Sequence, residues 1–446
     1  MFHSDFINEP YWWQAYRPVA DAGYDLPGQC DVAVVGGGYT GLSIALELAR
    51  QGKHVVVLEA GTFGQGASTR NGGGVSGGVN IGKRLSGRKI VYAPEQQNAL
   101  LGDAAQAYSY IESFIQKENI DCHWLRTGRF VGAWTPAHYA VQSKAVEALN
   151  SGAQSGAYMV PRERQREEIA TDLYFGGQII ERSAFIHPAL LFKGLLDSCR
   201  RAGVVLCDTT AVQGLEKRGA LWQIDTSQGP LQAGMVAIAT NGYTTRVTQQ
   251  FRRRIVPIAS HIIVTEPLAP GLARHILPTN RMINDSLRVR SYYRLTPDGT
   301  RLLFGGRGRF GQADVRANSE VLYKTLIARL PDVAGTRISH AWSGNVAFTF
   351  DGTPHMGERD GLFYALGCNG SGVAMLNYLG YQTARKMLGV PGFTCAFDTP
   401  LPGNALYTGH PWFLPFIGSW FRLRDRLERQ SAEKMASKSG AGTTQK

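Results

Sequence analysis

The sequence predicts an α/β fold, and three observations carry that reading. Residues 31–35 (DVAVV) form a short run, apolar after its first residue, as expected of a parallel strand covered on both faces. Gly36, Gly38 and Gly41 follow at once and open a stretch with helical apolar spacing. Residues 54–58 (HVVVL) then read as a second strand, which stops at the acidic Glu59.

Ahead of this unit, residues 1–29 make an aromatic arm with Tyr11, Trp12, Trp13 and Tyr16, closing on the turn-like DLPG at 25–28. After the glycines, Leu42, Ile44, Ala45, Leu48 and Ala49 recur on one helical face until Gly52, a natural C-cap. Glu59 lies 18 positions beyond Gly41, which completes a dinucleotide-binding fingerprint. Each position has a physical task. Gly36 permits the tight turn, Gly38 lets a pyrophosphate approach the backbone, and Gly41 lets helix pack on strand. Tyr39 and Thr40 open the helix whose positive end meets the phosphates. Glu59, followed by Ala60, can accept both ribose hydroxyls of an adenosine, and it repels the extra phosphate of NADP.

Beyond Glu59 the chain does not go straight on to another strand and helix. It runs through a glycine-and-hydroxyl loop: Gly64, Gly66, Ala67, Ser68, Arg70, Asn71, Gly72, Gly73. Such a loop offers backbone N–H groups to phosphates and to a flavin ring. Taken together, GGGYTGL at 36–42, Glu59 and GASTRNGG at 66–73 resemble the FAD-dependent amine and amino-acid oxidases of the D-amino-acid oxidase superfamily. The likeness is closest to the gamma-glutamylputrescine oxidase branch.

The resemblance implies a Rossmann-like FAD-binding domain of discontinuous segments (30–95, 161–250, 336–398) and a mostly antiparallel substrate domain (96–160, 251–335). It implies non-covalent FAD and extends the cofactor set to four later places. These are Val212 at an adenine contact, Thr240, Asn241 and Gly242 after a returning strand, Gly344, and Gly367, Gly370, Ser371, Gly372 and Val373 at a second helix start. Residues 188–202 read as a crossover helix, with His187 as its cap. Three departures from the family stand out. Ser371 replaces a histidine common in the branch. Val346 stands where sarcosine oxidases carry the cysteine that tethers FAD. No lysine occurs between Lys217 and Lys324, and the strand that would carry an oxygen-activating lysine ends in Arg307.

The resemblance further implies hydride transfer from a small amine, with molecular oxygen or another acceptor taking the electrons. Arg288, Arg290, Tyr292, Tyr293 and Arg307 are the substrate-binding candidates, and Tyr293, Arg294, Arg307 and Ser371 the catalytic ones. Arg309 belongs to the same basic stretch, while His261 and His355 are further candidates without an anchor. An Arg beside Tyr292 or Tyr293 is what a carboxylate anchor requires. Two rival readings stay open: a dehydrogenase passing electrons to a quinone or protein, and an RNA-binding or RNA-modifying flavoprotein.

Composition bounds these readings. The 446 residues suffice for two domains, and 53 glycines are an excess concentrated in short runs. The net charge of +12 comes mainly from arginine, which suits an anionic cofactor and substrate and shows no nucleic-acid module. Six cysteines have no metal-ligand spacing, which argues against a zinc site and for a reducing compartment. No apolar run reaches membrane-spanning length and the polar start is no signal peptide, so a cytoplasmic protein is expected. Residues 399–430 form an aromatic and basic segment, read as packing its aromatics on the protein, with peripheral membrane contact as the alternative. Residues 431–446 are expected to be a disordered tail.

Overall fold

The computed structural model describes residues 1–20, 24–76, 81–82, 90–308 and 314–441. Two large sheets carry the chain. The core of the first is parallel, in the order Val205–Cys207, Val55–Leu58, Gln29–Val35, Gly229–Ile238 and Leu362–Leu366. Gly229–Ile238 is long enough to change partners. Its first half pairs antiparallel with Leu221–Thr226, its second half parallel with Leu362–Leu366. The strands 31–35 and 54–58 read from the sequence are therefore central, which is why they are apolar on both faces.

Helices Tyr39–Arg50 and Gly372–Met387 cross on one face of this sheet. Both crossings need a missing side chain. A Cβ on Gly41 would sit 1.9 Å from the Gly36 carbonyl oxygen, and one on Gly380 would sit 2.6 Å from that of Thr40. The predicted crossover helix is Pro188–Arg201, and the His187 side chain accepts from the Leu190 N–H at 3.3 Å, capping it.

The second sheet has nine strands, beginning Phe2–Ile7, Ile338–Phe348, Val256–Thr265, Leu302–Gly306, Tyr292–Leu295 and Met282–Asp285. It continues with Arg129–Gly132, Gly177–Ile180 and Ala157–Val160. Most pairs are antiparallel, but Phe2–Ile7 and Arg129–Gly132 each join a parallel neighbour. The segment boundaries expected from the sequence shift accordingly. Gly177–Ile180 and Ile338–Phe348, assigned to the FAD half, belong to this sheet because their backbone groups pair there. Helix Pro94–Lys117, assigned to the substrate half, packs its Leu100, Tyr108 and Ile111 into the core of the parallel sheet.

The C-terminal helix, Leu414–Ala441, extends through residues 431–441, where a disordered tail is expected. Ser, Ala, Glu and Lys there are compatible with a helix once its first turns are fixed. Arg288 fixes them, donating to Asp425 and Glu428 at 2.7 Å, and Arg429 donates to the carbonyls of Trp134 and Leu173. The aromatic residues divide. Tyr407 and Phe421 are buried, whereas Trp412, Phe416 and Trp420 remain exposed and do not pack on the protein as the sequence suggests.

The aromatic arm is built in as well. Trp12 is fully buried against His187, with ring centroids 4.9 Å apart, and Tyr11 stands on edge to His340 at 5.3 Å. Burial holds both imidazoles neutral, pushing each down to about 4 from 6.5. Between those two values the unfolded chain binds protons that the folded one does not, so stability falls as pH falls. Thermal unfolding should show a plateau above about pH 6.5 and a declining melting temperature from there toward pH 4. His187→Asn, which keeps a capping acceptor, should flatten part of that slope.

Candidate active site

A cavity of about 1010 Å³ lies between the two sheets and takes its walls from both. On the side of the parallel sheet, the first turn of Tyr39–Arg50 opens onto it. The helix has no side-chain cap at Gly38, and the Tyr39 N–H is met by Ser68 Oγ at 3.1 Å. Thr40 Oγ1 is buried with no partner among the described residues, and a Cβ on Gly38 would intrude to 3.1 Å from Ser68 Oγ. Glu59 is held from behind. Its two carboxylate oxygens accept from the Gly37 N–H at 2.8 Å and the Gly61 N–H at 3.0 Å. Each oxygen keeps a lone pair for a diol.

The loop 64–74 is fastened from outside along four consecutive residues. Thr69 Oγ1 accepts from Trp13 Nε1 at 2.9 Å, and the Arg70 carbonyl from Trp342 Nε1 at 2.7 Å. The Asn71 carbonyl accepts from Trp12 Nε1 at 2.9 Å, and the Gly72 carbonyl from Arg294 Nε at 2.9 Å. Gly73 has a φ of +74°, and a Cβ there would fall 2.2 Å from the Ile186 carbonyl oxygen. Opposite this loop, Ser371 begins Gly372–Met387 without capping it, so a second uncapped helix start faces the same space.

Most of the sequence-predicted cofactor residues line the cavity: Gly36, Gly38, Tyr39, Thr40, Glu59 and Ala60 from the fingerprint, and Gly66, Ala67, Ser68, Arg70, Asn71 and Gly72 from the loop. Val212, Thr240, Asn241, Gly344, Gly370, Ser371, Gly372 and Val373 line it too. Four do not. Gly41 and Gly73 are packing positions, Gly242 lies against Asn345, and Gly367 donates its N–H to Asn241 Oδ1 at 2.9 Å. Arg70 lines the space, but its fork is engaged, donating to the Gln65 carbonyl at 2.6 Å and the Ser343 carbonyl at 3.3 Å. Both contacts clamp the loop.

The substrate side corrects the sequence reading more sharply. Tyr292 lines the cavity, with its hydroxyl 3.3 Å from Ser260 Oγ. Tyr293 points to the opposite face, as strand alternation demands, and shares a hydrogen bond with Tyr174 at 2.8 Å. Arg294 returns to the face of Tyr292 but ends beneath the loop, fully buried over the rings of Trp12 and Phe185. There it donates to the carbonyls of Gly72 and Ile186, so it stands as a support of the loop and outside the cavity lining. Arg288 also lines the cavity, but its charge is taken by Asp425 and Glu428 of the C-terminal helix. His261 and His355 lie outside the lining, His355 being paired with Asp351 at 3.0 Å. Arg309 lies outside the described residues.

Arg290 and Arg307 do line the cavity, and Arg129 joins them. Among the described residues none accepts a hydrogen bond from any of the three, and no carboxylate lies in ion-pair range. Arg307 rests over the Phe348 ring at 4.8 Å. Burial, with repulsion from Arg290, pushes Arg129 and Arg307 down to about 10, and burial lowers Arg290 as well. Arg129 is absent from the sequence-predicted set. Its only signal was a charge beginning a four-residue strand whose next residue, Phe130, is core. Leu414, Ile417 and Phe421 close the cavity from the C-terminal helix, an enclosure with no sequence motif behind it.

The family model for FAD dependent oxidoreductases matches residues 31–386. The chain belongs to this family. It is 32% identical to the gamma-glutamylputrescine oxidoreductase of Escherichia coli (strain K12) over 404 residues, 89% of this chain and 93% of that relative. It is 25% identical to the glycine oxidase of Geobacillus kaustophilus over 372 residues, 79% of this chain and 92% of that one. The crystal structure of that glycine oxidase superposes with a TM-score of 0.71 at 21% identity, covering 85% of this chain and 100% of the other, a likeness of fold.

This enzyme is therefore an FAD-dependent flavoprotein, and the cradle fits the cofactor. Two uncapped helix starts, an orphaned Thr40 hydroxyl, a backbone-held Glu59 and a glycine-lined approach are the groups a dinucleotide needs. Gly38→Val should fill that approach. Purified variant protein should be colourless while its far-ultraviolet circular dichroism stays near that of the yellow parent.

Proposed function

We propose that the enzyme oxidises a primary or secondary amine or N-substituted amino acid whose other end is anionic, as a gamma-glutamylated diamine is. The observation that carries this reading is the trio Arg129, Arg290 and Arg307, converging on the cavity without a counter-ion. Arg129 is buried and Arg290 and Arg307 are half-buried, and three such cations without partners among the described residues are costly unless a ligand supplies negative charge. The relatives named for gamma-glutamylputrescine and for glycine support an amine at the other end.

When bound, FAD would supply the hydride acceptor, and the imine left from the amine would be hydrolysed by water to an aldehyde or keto acid with release of ammonia or an amine. Gly38, Tyr39, Thr40, Glu59, the loop 66–72 and the start of Gly372–Met387 would hold it. The protein's own part is orientation and exclusion of water. Asn284 Oδ1, buried without a partner among the described residues and lining the cavity, would accept from the amine N–H. Tyr292 stays protonated because burial pushes its hydroxyl up to about 12, so it donates. Ile258, Ile262, Leu414, Ile417 and Phe421 keep the space apolar around them.

Val346, at the tethering position, lines the cavity and carries no thiol, which supports non-covalent FAD. Acid precipitation should leave all the flavin in the supernatant. Arg290→Ala should lower kcat/KM for an anionic amine about 30-fold, the loss of one charged hydrogen-bond partner in a buried site. That loss should shrink for an analogue lacking the acid group. If uncharged amines turn over as well as anionic ones and Arg290→Ala keeps near-normal kinetics, the reading fails.

Oxygen is the acceptor this reading favours, with hydrogen peroxide as its product. The dehydrogenase alternative draws support from Arg307, which occupies the place of the family's oxygen-activating lysine. Peroxide yield set against reduction of an artificial acceptor separates the two.

A further inference from the structure

The C-terminal helix has two apolar faces, and only the inner one has a use in the cavity. Phe416, Trp420, Leu423 and Leu427 on the outer face are 72%, 56%, 46% and 51% exposed. At 100° per residue these four fall within an arc of about 60° and run for about 16 Å, with Trp412 preceding them. Arg424 and Arg426 stand about 80° to either side of Phe416, both exposed. Arg424 also reaches Glu428 at 3.4 Å, a surface contact 48% exposed at the arginine. The other exposed large apolar side chains, such as Val19, Val91 and Val141, come from separate parts of the chain.

We propose that this outer face docks the enzyme on the surface of an anionic lipid bilayer, without crossing it. The pattern is an aromatic and leucine stripe edged on both sides by arginine, lying along one helix. Aromatic rings suit the headgroup boundary, and the arginines meet phosphate. Among the described residues, no helix is long and apolar enough to span a membrane, so the contact is peripheral.

A second copy of the chain is the rival occupant, and two features oppose it. Four partly exposed side chains offer roughly 400 Å², about half of the ~800 Å² per partner that a stable interface buries. With arginine on both edges of the stripe, pairing two stripes sets arginine against arginine along the seam. A phosphate-bearing lipid surface removes that repulsion.

The test is co-sedimentation of the FAD-loaded enzyme with vesicles of phosphatidylcholine alone and of phosphatidylcholine mixed with phosphatidylglycerol. The enzyme should sediment with the mixed vesicles, more weakly as salt rises, and its tryptophan emission should shift to the blue. Phe416→Ser with Trp420→Ser should weaken binding at least about tenfold, and Arg424→Glu with Arg426→Glu should abolish the preference for anionic lipid. Both pairs lie outside the cavity lining, so flavin content and turnover of soluble substrate serve as the control for folding. Failure to sediment with either vesicle overturns the proposal. So does a concentration-dependent dimer, formed without lipid and broken by the same serine substitutions.

Discussion

Four consecutive residues of one loop are gripped by four large side chains from three separate parts of the chain. Trp12 and Trp13 come from the first strand's extension, Arg294 from the middle of the second sheet, and Trp342 from a strand near the end. A trans peptide plane sends its N–H opposite to its carbonyl. Drawing the carbonyls of Arg70 and Asn71 outward therefore turns the next two N–H groups the other way. The loop is positioned by its environment, since a run so rich in glycine has little preference of its own. In the proposed reading, where this loop holds the flavin, the distance from substrate to the reacting atom depends on that grip.

The same arrangement explains a division of labour among the arginines. Arg70, Arg288, Arg294 and Arg429 all bind carbonyls or carboxylates of the protein and act as struts. Arg129, Arg290 and Arg307 bind no acceptor among the described residues and face the cavity. Local sequence does not separate the two groups. Arg288 and Arg290 are two residues apart, and only the helix that arrives from position 414 onward takes the first and leaves the second.

Much of the parallel half was legible in the sequence because its signals are local. The strand, turn and helix around Gly36–Gly41 lie within twenty residues, and Glu59 follows one helix later. His187 was readable as a cap for the same reason. The substrate half was less legible because its strands are short and pair over long separations. Strand periodicity puts Tyr292 and Tyr293 on opposite faces but does not say which face is wet. Arg294 shares the face of Tyr292, so only the placement of the loop 72–73 above it shows that it is a strut. Arg129 gave only a weak signal, since one charge opening a four-residue strand usually lies on a surface.

The two ends of the polypeptide complete the cofactor cradle and the roof above it. Phe2–Ile7 pairs with Ile338–Phe348, and Trp12 reaches its loop only beside Trp342, more than three hundred residues later. A chain emerging from the ribosome amino-terminus first holds its opening residues in waiting until roughly three quarters of these 446 residues have been made. The full grip on residues 69–72 is thereby deferred until Trp342 has been made, long after the turn at 36–41 can form.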